Sequence, residues 1–226
     1  MSPKNAFELP LHNRSTAGRM LAGLLTGYQQ GDDVIVLGLP RGGVPVAYEI
    51  ASALQVRLDL MLVRKLGVPG YEEYAMGAIA EGGVCVVHAE VLRAQGIADA
   101  SLAAVIARQT AELQRRERVY RGARPAPKLR GQYVILVDDG LATGATMQAA
   151  VQAVQRQNPA RIIVAVPVAA ADSLAELRQQ VDEIICPYRM EMLTAIGRWY
   201  LDFTQVSDDE VLALLHQAWQ REERAS

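Results

Sequence analysis

Short apolar, β-branched runs alternate along this chain with stretches in which apolar positions recur every three or four residues. Residues 34–37 (Val-Ile-Val-Leu) are uninterrupted apolar positions, as expected of a strand buried on both faces. Gly42-Gly43 then opens a helix with Pro45 in its first turn, and Val46, Ile50 and Leu54 form its apolar stripe. A second strand is predicted over 58–63, and shorter ones over 76–80 and 84–87 are joined at Gly82-Gly83, a hairpin signal. Residues 99–121 predict a long helix with Leu102, Val105, Ile106 and Leu113 inward. Its far end, Arg115 to Arg118, reads as solvated surface, and Arg124-Pro125-Ala126-Pro127 breaks it.

The clearest buried strand covers 133–137, followed by a helix at about 145–157 whose inner face is Met147, Ala150, Val151 and Val154. A strand at 162–166, a helix near 172–180 and Ile184-Ile185 follow. Ser207, with Glu210 three positions on, caps a last helix carrying Val211, Leu214, Leu215 and Ala218. The alternation predicts an α/β fold: a Rossmann-like, mostly parallel sheet flanked by helices.

Composition narrows the picture. The 226 residues suit a single domain spanning 1–226, without internal repeat. Lys and Arg number 23 against 25 Asp and Glu, a net charge of −2, so no global attraction to nucleic acid or an anionic membrane is expected. Two distant cysteines, Cys85 and Cys186, form no disulfide framework. With no long apolar run and no apolar leader, the expected location is cytoplasmic. The histidines (His12, His88, His216) are scattered, and no direct metal-binding motif, nucleophile elbow, P-loop or G-x-G-x-x-G is present.

The informative segment is Val134-Ile135-Leu136-Val137-Asp138-Asp139-Gly140-Leu141-Ala142-Thr143-Gly144-Ala145-Thr146. A buried strand delivers two adjacent carboxylates to its carboxyl end, where open α/β sheets bind ligands. A small-residue loop then turns into a helix whose free N–H groups suit a phosphate monoester, with Gly144 permitting close approach and Thr143 and Thr146 adding hydroxyl donors. Two carboxylates one loop away suit the vicinal hydroxyls of a ribose. Upstream, Leu39-Pro40-Arg41-Gly42-Gly43 also joins a strand to a helix, a second anion cradle with a guanidinium.

An apolar strand, two acids and a Thr-Gly-x-Thr loop resemble the phosphoribosyl-pyrophosphate signature of the type I phosphoribosyltransferases. The resemblance implies that Asp138 and Asp139 bind the ribose hydroxyls and that Gly140 and Ala142 to Thr146 (Ala142, Thr143, Gly144, Ala145, Thr146) bind the 5′-phosphate. It implies that Arg41, Gly42 and Gly43 bind pyrophosphate, with a non-proline peptide bond often strained in that loop. Arg64 and Lys65 would neutralise departing pyrophosphate beside a mobile loop at 66–74. Glu73 and Glu81 are either surface salt-bridge residues or proton acceptors, and Ala142 departs from members with an acid there. Trp199, Tyr200 and Phe203 are either candidate stacking residues for a planar acceptor or the packed hydrophobic base of the last helix. With Arg14 to Arg19 and Ala75 to Ile79, this tail resembles a bacterial subgroup whose substrate is unassigned.

By the same resemblance, the fold would carry a small hood from about 1–33 and 187–226 and a helical insertion at about 90–125. The implied function is Mg²⁺-dependent transfer of phosphoribosyl from phosphoribosyl pyrophosphate to a nitrogenous base or related acceptor. The alternative is a non-catalytic sensor of phosphoribosyl pyrophosphate or a nucleotide. Dimers are common in the family, so a homodimer is a possible assembly.

Overall fold

The computed structural model describes residues 9–225, so positions 1–8 of the expected hood lie outside the described residues. Helix α1 (Arg14–Leu24) starts where the Asn13 side chain accepts the N–H of Thr16. Strand β1 (Val34–Gly38) is buried at all five positions and leads into α2 (Gly43–Leu54). Pro45 sits in the first turn of α2, where a missing N–H costs nothing.

Strand β2 (Arg57–Leu60) lies parallel to β1. The chain then leaves the sheet at the fully buried corner Met61-Leu62 and forms a separate antiparallel sheet from β3 (Val63–Val68), β4 (Tyr71–Ala80) and β5 (Val84–Val87). The single strand expected over 58–63 is therefore two strands in two sheets. Both sides of the corner are buried, so the apolar run continues across it without marking the change of direction.

Helices α3 (Ala89–Ala94) and α4 (Asp99–Arg121) follow, and α4 ends at Gly122, two residues before the expected breaker. There follow β6 (Tyr133–Val137), α5 (Ala145–Gln155), β7 (Arg161–Ala165), β8 (Val168–Ala170), α6 (Ala171–Leu177), β9 (Glu183–Ile185), β10 (Tyr188–Met190) and α7 (Asp208–Ala225). Ser207 Oγ accepts the N–H of Glu210 at 3.1 Å, the expected cap of α7. The parallel pair β8–β10 was not legible, since strands of three residues carry too little pattern.

The main sheet has the order β2-β1-β6-β7-β9 and is parallel throughout. Strand alternation sends Val34, Val36, Ile135 and Val137 into a core with α1, α2 and α7, and Ile35, Leu37, Val134 and Leu136 into one with α5 and α6. Both faces are covered, which is why these strands read as unbroken apolar runs. Among the described residues no helix is long and apolar enough to cross a membrane.

Helix α4 and the second sheet are tied to the sheet edge by a buried ion cluster. Arg121, with a side chain 1% exposed, donates to Asp59 Oδ1 at 3.0 Å, to the Leu60 carbonyl at 2.7 Å, and to the Glu81 carboxylate. Burial pushes the Glu81 carboxyl up and Arg121 pulls it back. Glu81 is thus committed to the fold at the end of β4, away from any role as a proton acceptor.

Candidate functional site

Strands β1 and β6 run side by side and end together, Gly38 opposite Val137. Beyond those ends the two loops meet. The N–H of Leu39 donates to the Val137 carbonyl at 2.9 Å, and the Pro40–Arg41 peptide is cis, in the loop where the resemblance placed a special peptide. A Cβ on Gly42 would stand 2.0 Å from Asp139 Oδ2, and one on Gly43 2.6 Å from the Val137 carbonyl oxygen and 2.9 Å from Asp138 Cα. Only glycine lets the loops touch, and the two motifs form one surface.

The carboxylates of that surface are each held by a protein N–H. Asp138 Oδ1 accepts the N–H of Asp139 at 2.8 Å, and Asp139 Oδ2 accepts Arg14 Nε at 2.8 Å. The two carboxyls also share a side-chain hydrogen bond with each other. Burial, then the charge of Asp139, pushes the Asp138 carboxyl well above the usual range. Burial raises Asp139 too, opposed by the hydrogen bond and charge of Arg14.

The loop after the acids is pinned from one side. Leu141 exchanges backbone hydrogen bonds with β8, through its N–H to the Val168 carbonyl and its carbonyl to the N–H of Ala170, both at 2.9 Å. Ser173 Oγ donates to the Ala142 carbonyl at 2.6 Å. Gly144 takes φ +72°, a left-handed conformation that glycine adopts freely, and turns the chain into α5. Among the described residues no hydrogen bond uses the N–H of Ala142, Thr143 or Gly144. These N–H groups belong to the loop that joins the acids to the positive, N-terminal end of α5. Thr143 is exposed and Thr146 half-buried.

Arg41, in the loop between β1 and α2, reaches toward α7, its Nη1 3.8 Å from Asp208 Oδ1. The same oxygen accepts the Tyr120 hydroxyl at 2.6 Å, and burial together with Asp208 pushes that phenol up to about 12. Arg64 and Lys65 do not stand at a strand end before a loop; both lie inside β3, paired with Ile79 and Ala78 of β4. The segment 66–74, expected as a mobile loop, forms a hairpin turning at Pro69-Gly70, with Leu66, Val68 and Met76 buried and Tyr71 and Tyr74 exposed. Arg64 Nε donates to Gln109 Oε1 of α4 at 2.9 Å, and burial and the charge of Arg116 lower its pKa. The Glu73 side chain lies outside the described residues.

The aromatic tail is not an open stacking wall. Tyr200 is buried, stacks on Phe203 at 5.0 Å between centroids, and donates its hydroxyl to the Asp139 carbonyl at 2.6 Å. The Arg14 guanidinium lies 3.9 Å from the centre of the Phe203 ring. Tyr200 thus holds the Asp139 backbone and Phe203 backs Arg14, while Trp199 is half-buried at the end of a single 3₁₀ turn, Ile196–Trp199. Arg14, Ser173 and the Tyr200 hydroxyl are site residues that sequence reasoning missed. Their partners are distant in sequence and are backbone atoms or one carboxylate oxygen, which no local spacing encodes.

Residues 12–203 match the family model for the phosphoribosyl transferase domain. The chain belongs to that family. Two Mycobacterium tuberculosis proteins, each provisionally named a phosphoribosyl transferase, are 45% identical to it over 206 residues, covering 91% of this chain and 46% of theirs. The chain thus spans about half the length of these curated relatives. The crystal structure of the TT1426 protein of Thermus thermophilus superposes with a TM-score of 0.77 at 42% identity, over 92% of this chain and 98% of that one. The AQ2163 protein of Aquifex aeolicus shares the fold alone, with a TM-score of 0.53 at 14% identity over 89% and 86% of the two chains. The observed parallel sheet with helices on both faces agrees with this family membership.

Proposed function

We propose that this chain transfers the 5-phosphoribosyl group of phosphoribosyl pyrophosphate to a nitrogenous base or related acceptor, releasing pyrophosphate. The observation that carries the reading is the adjacent acid pair and the loop that joins it to the N-terminal end of α5. Each carboxylate has one oxygen held by a protein N–H, and the hydrogen bond that the two carboxyls share is one that the vicinal hydroxyls of a ribose would replace, its 5′-phosphate sitting on the N–H groups of 142–144. The Gly42-Gly43 loop lies against the acids and is assigned to the pyrophosphate, with Arg41 at its edge.

Breaking the bond from C1 to pyrophosphate oxygen leaves positive charge on the ribose and negative charge on the leaving group. Asp138 and Asp139 hold the ring in place and favour its developing cationic charge, and the loop N–H groups and Arg41 stabilise the leaving anion. Lys65, carried on β3, is assigned to the same leaving group. Mg²⁺, which prefers oxygen ligands and keeps several waters, would be held through the bound donor beside Asp138 and Asp139. When bound it supplies charge neutralisation at pyrophosphate. With alanine at 142, this loop offers no carboxylate for proton transfer at the acceptor.

The test incubates the full chain with Mg²⁺, phosphoribosyl pyrophosphate and a panel of purine and pyrimidine bases, following pyrophosphate release. Release that depends on one base is the expected result. Tight donor binding without turnover across the panel would instead identify a sensor, and absence of donor binding would remove the reading altogether.

A further inference from the structure

Arg14 occupies the first position of α1, where the helix dipole disfavours a cation. The placement is explained by what its guanidinium does. Nε donates to Asp139 Oδ2 at 2.8 Å, Nη1 donates to the Thr204 carbonyl at 2.7 Å, and the group lies over the Phe203 ring at 3.9 Å. The side chains of Arg14 and Asp139 are each only 11% exposed. Three fixed points therefore define the plane of the guanidinium, and through Nε the orientation of Asp139.

We propose that Arg14 is the positioning residue of the ribose clamp, an arm from the N-terminal helix that occupies Oδ2 of Asp139 and thereby presents Oδ1 to the sugar. The inference deepens the phosphoribosyltransferase reading above and rests on it. Asp139 is faced by Asp138 from its own strand end, by Arg14 from α1, and by Tyr200 from the hood, whose hydroxyl is spent on the Asp139 carbonyl. The loop after β1 brings only the backbone of Gly42. Arg14 is thus the single cation directed at the pair among the described residues. Without it, two neighbouring buried carboxylates would repel each other unrelieved, and Asp139 would be free to rotate.

The test measures Mg²⁺–phosphoribosyl pyrophosphate binding by calorimetry from about pH 5 to 8, with thermal melts, for the wild-type chain, Arg14→Gln and Arg14→Lys. The expected result is that Arg14→Gln binds at least about tenfold more weakly, with the acid-side loss of binding moved to higher pH. Arg14→Lys restores the pH midpoint through its charge but, lacking the planar fork, not the full affinity. A folded Arg14→Gln that binds with wild-type affinity and midpoint overturns the inference alone. So does an unfolded Arg14→Gln beside an Arg14→Lys that binds as wild type, which would assign Arg14 to the fold. A wild-type chain that does not bind the donor overturns the functional reading and this inference together.

Discussion

Gly42 lies against the carboxylate of Asp139 so closely that a Cβ at position 42 would stand 2.0 Å from Oδ2. The contact joins the loop after β1 to the loop after β6, and it makes the glycine a requirement of the site as well as of the turn. The expected outcome of Gly42→Ala is displacement of Asp139 with a stability loss of about 1–3 kcal/mol, as for overpacking elsewhere. Donor affinity should fall further than the melting temperature alone would predict. Calorimetry and thermal melts on the same preparation check this.

Asp138→Asn with Asp139→Asn removes two buried carboxyls, of which the Asp139 charge raises the pKa of Asp138 while a hydrogen bond from Asp138 lowers that of Asp139. The fold is expected to survive, because relief of desolvation and repulsion offsets loss of the Arg14 pair. Transfer should fall by at least about 10²–10³, the usual cost of losing a fixed electrostatic partner of the transition state. Unchanged donor affinity in a folded double variant would remove the role assigned to these acids.

Donor binding by the wild-type chain should be lost on acidification earlier than an ordinary carboxylate would dictate. The reason is the direction of the Asp138 shift: burial and the Asp139 charge raise its pKa, so the proton that blocks hydroxyl recognition arrives at higher pH. A binding midpoint at or below the usual aspartate value would contradict this.

Arg121 is a stability residue far from the acids. Arg121→Met leaves Asp59 and Glu81 buried without their cation, and should cost about 3–5 kcal/mol at neutral pH. Glu81 already has a raised pKa in the fold, and the substitution raises it further. A carboxyl whose folded pKa lies above its unfolded value destabilises the fold increasingly as pH rises between those two values. The variant should therefore regain stability relative to wild type as pH falls toward the ordinary value of 4.5. Urea denaturation across that range measures it.

Tyr200→Phe deletes the 2.6 Å hydrogen bond to the Asp139 carbonyl while keeping the stack on Phe203. The expected stability loss is about 1–2 kcal/mol, because the buried carbonyl is left without that donor. Donor binding should weaken with it. Normal binding with lowered stability would restrict Tyr200 to the fold.

The main sheet was legible because buried parallel strands must be apolar on both sides, so β1, β6 and β7 stand out as unbroken runs against the periodic helices. The acids and their loop were legible for a related reason: two carboxylates after such a run are costly without a ligand, and the glycines and threonines follow within one turn. The bend at Met61-Leu62 was not, since burial on both sides of a corner erases the periodic signal. Arg64 and Lys65 were placed at a strand end because a Gly/Pro-rich stretch follows them, whereas the strand runs on to Val68 and turns back as a hairpin with Leu66, Val68 and Met76 buried. Local sequence determined which segments are strands and helices and which strand end carries the anions, because those depend on neighbours a few residues apart. Which cation meets Asp139, which hydroxyl meets its carbonyl, and that Gly42 must lack a side chain were decided by tertiary structure. Arg14, Tyr200 and Gly42 reach that residue from three distant parts of the chain, and only folding brings them within bonding distance.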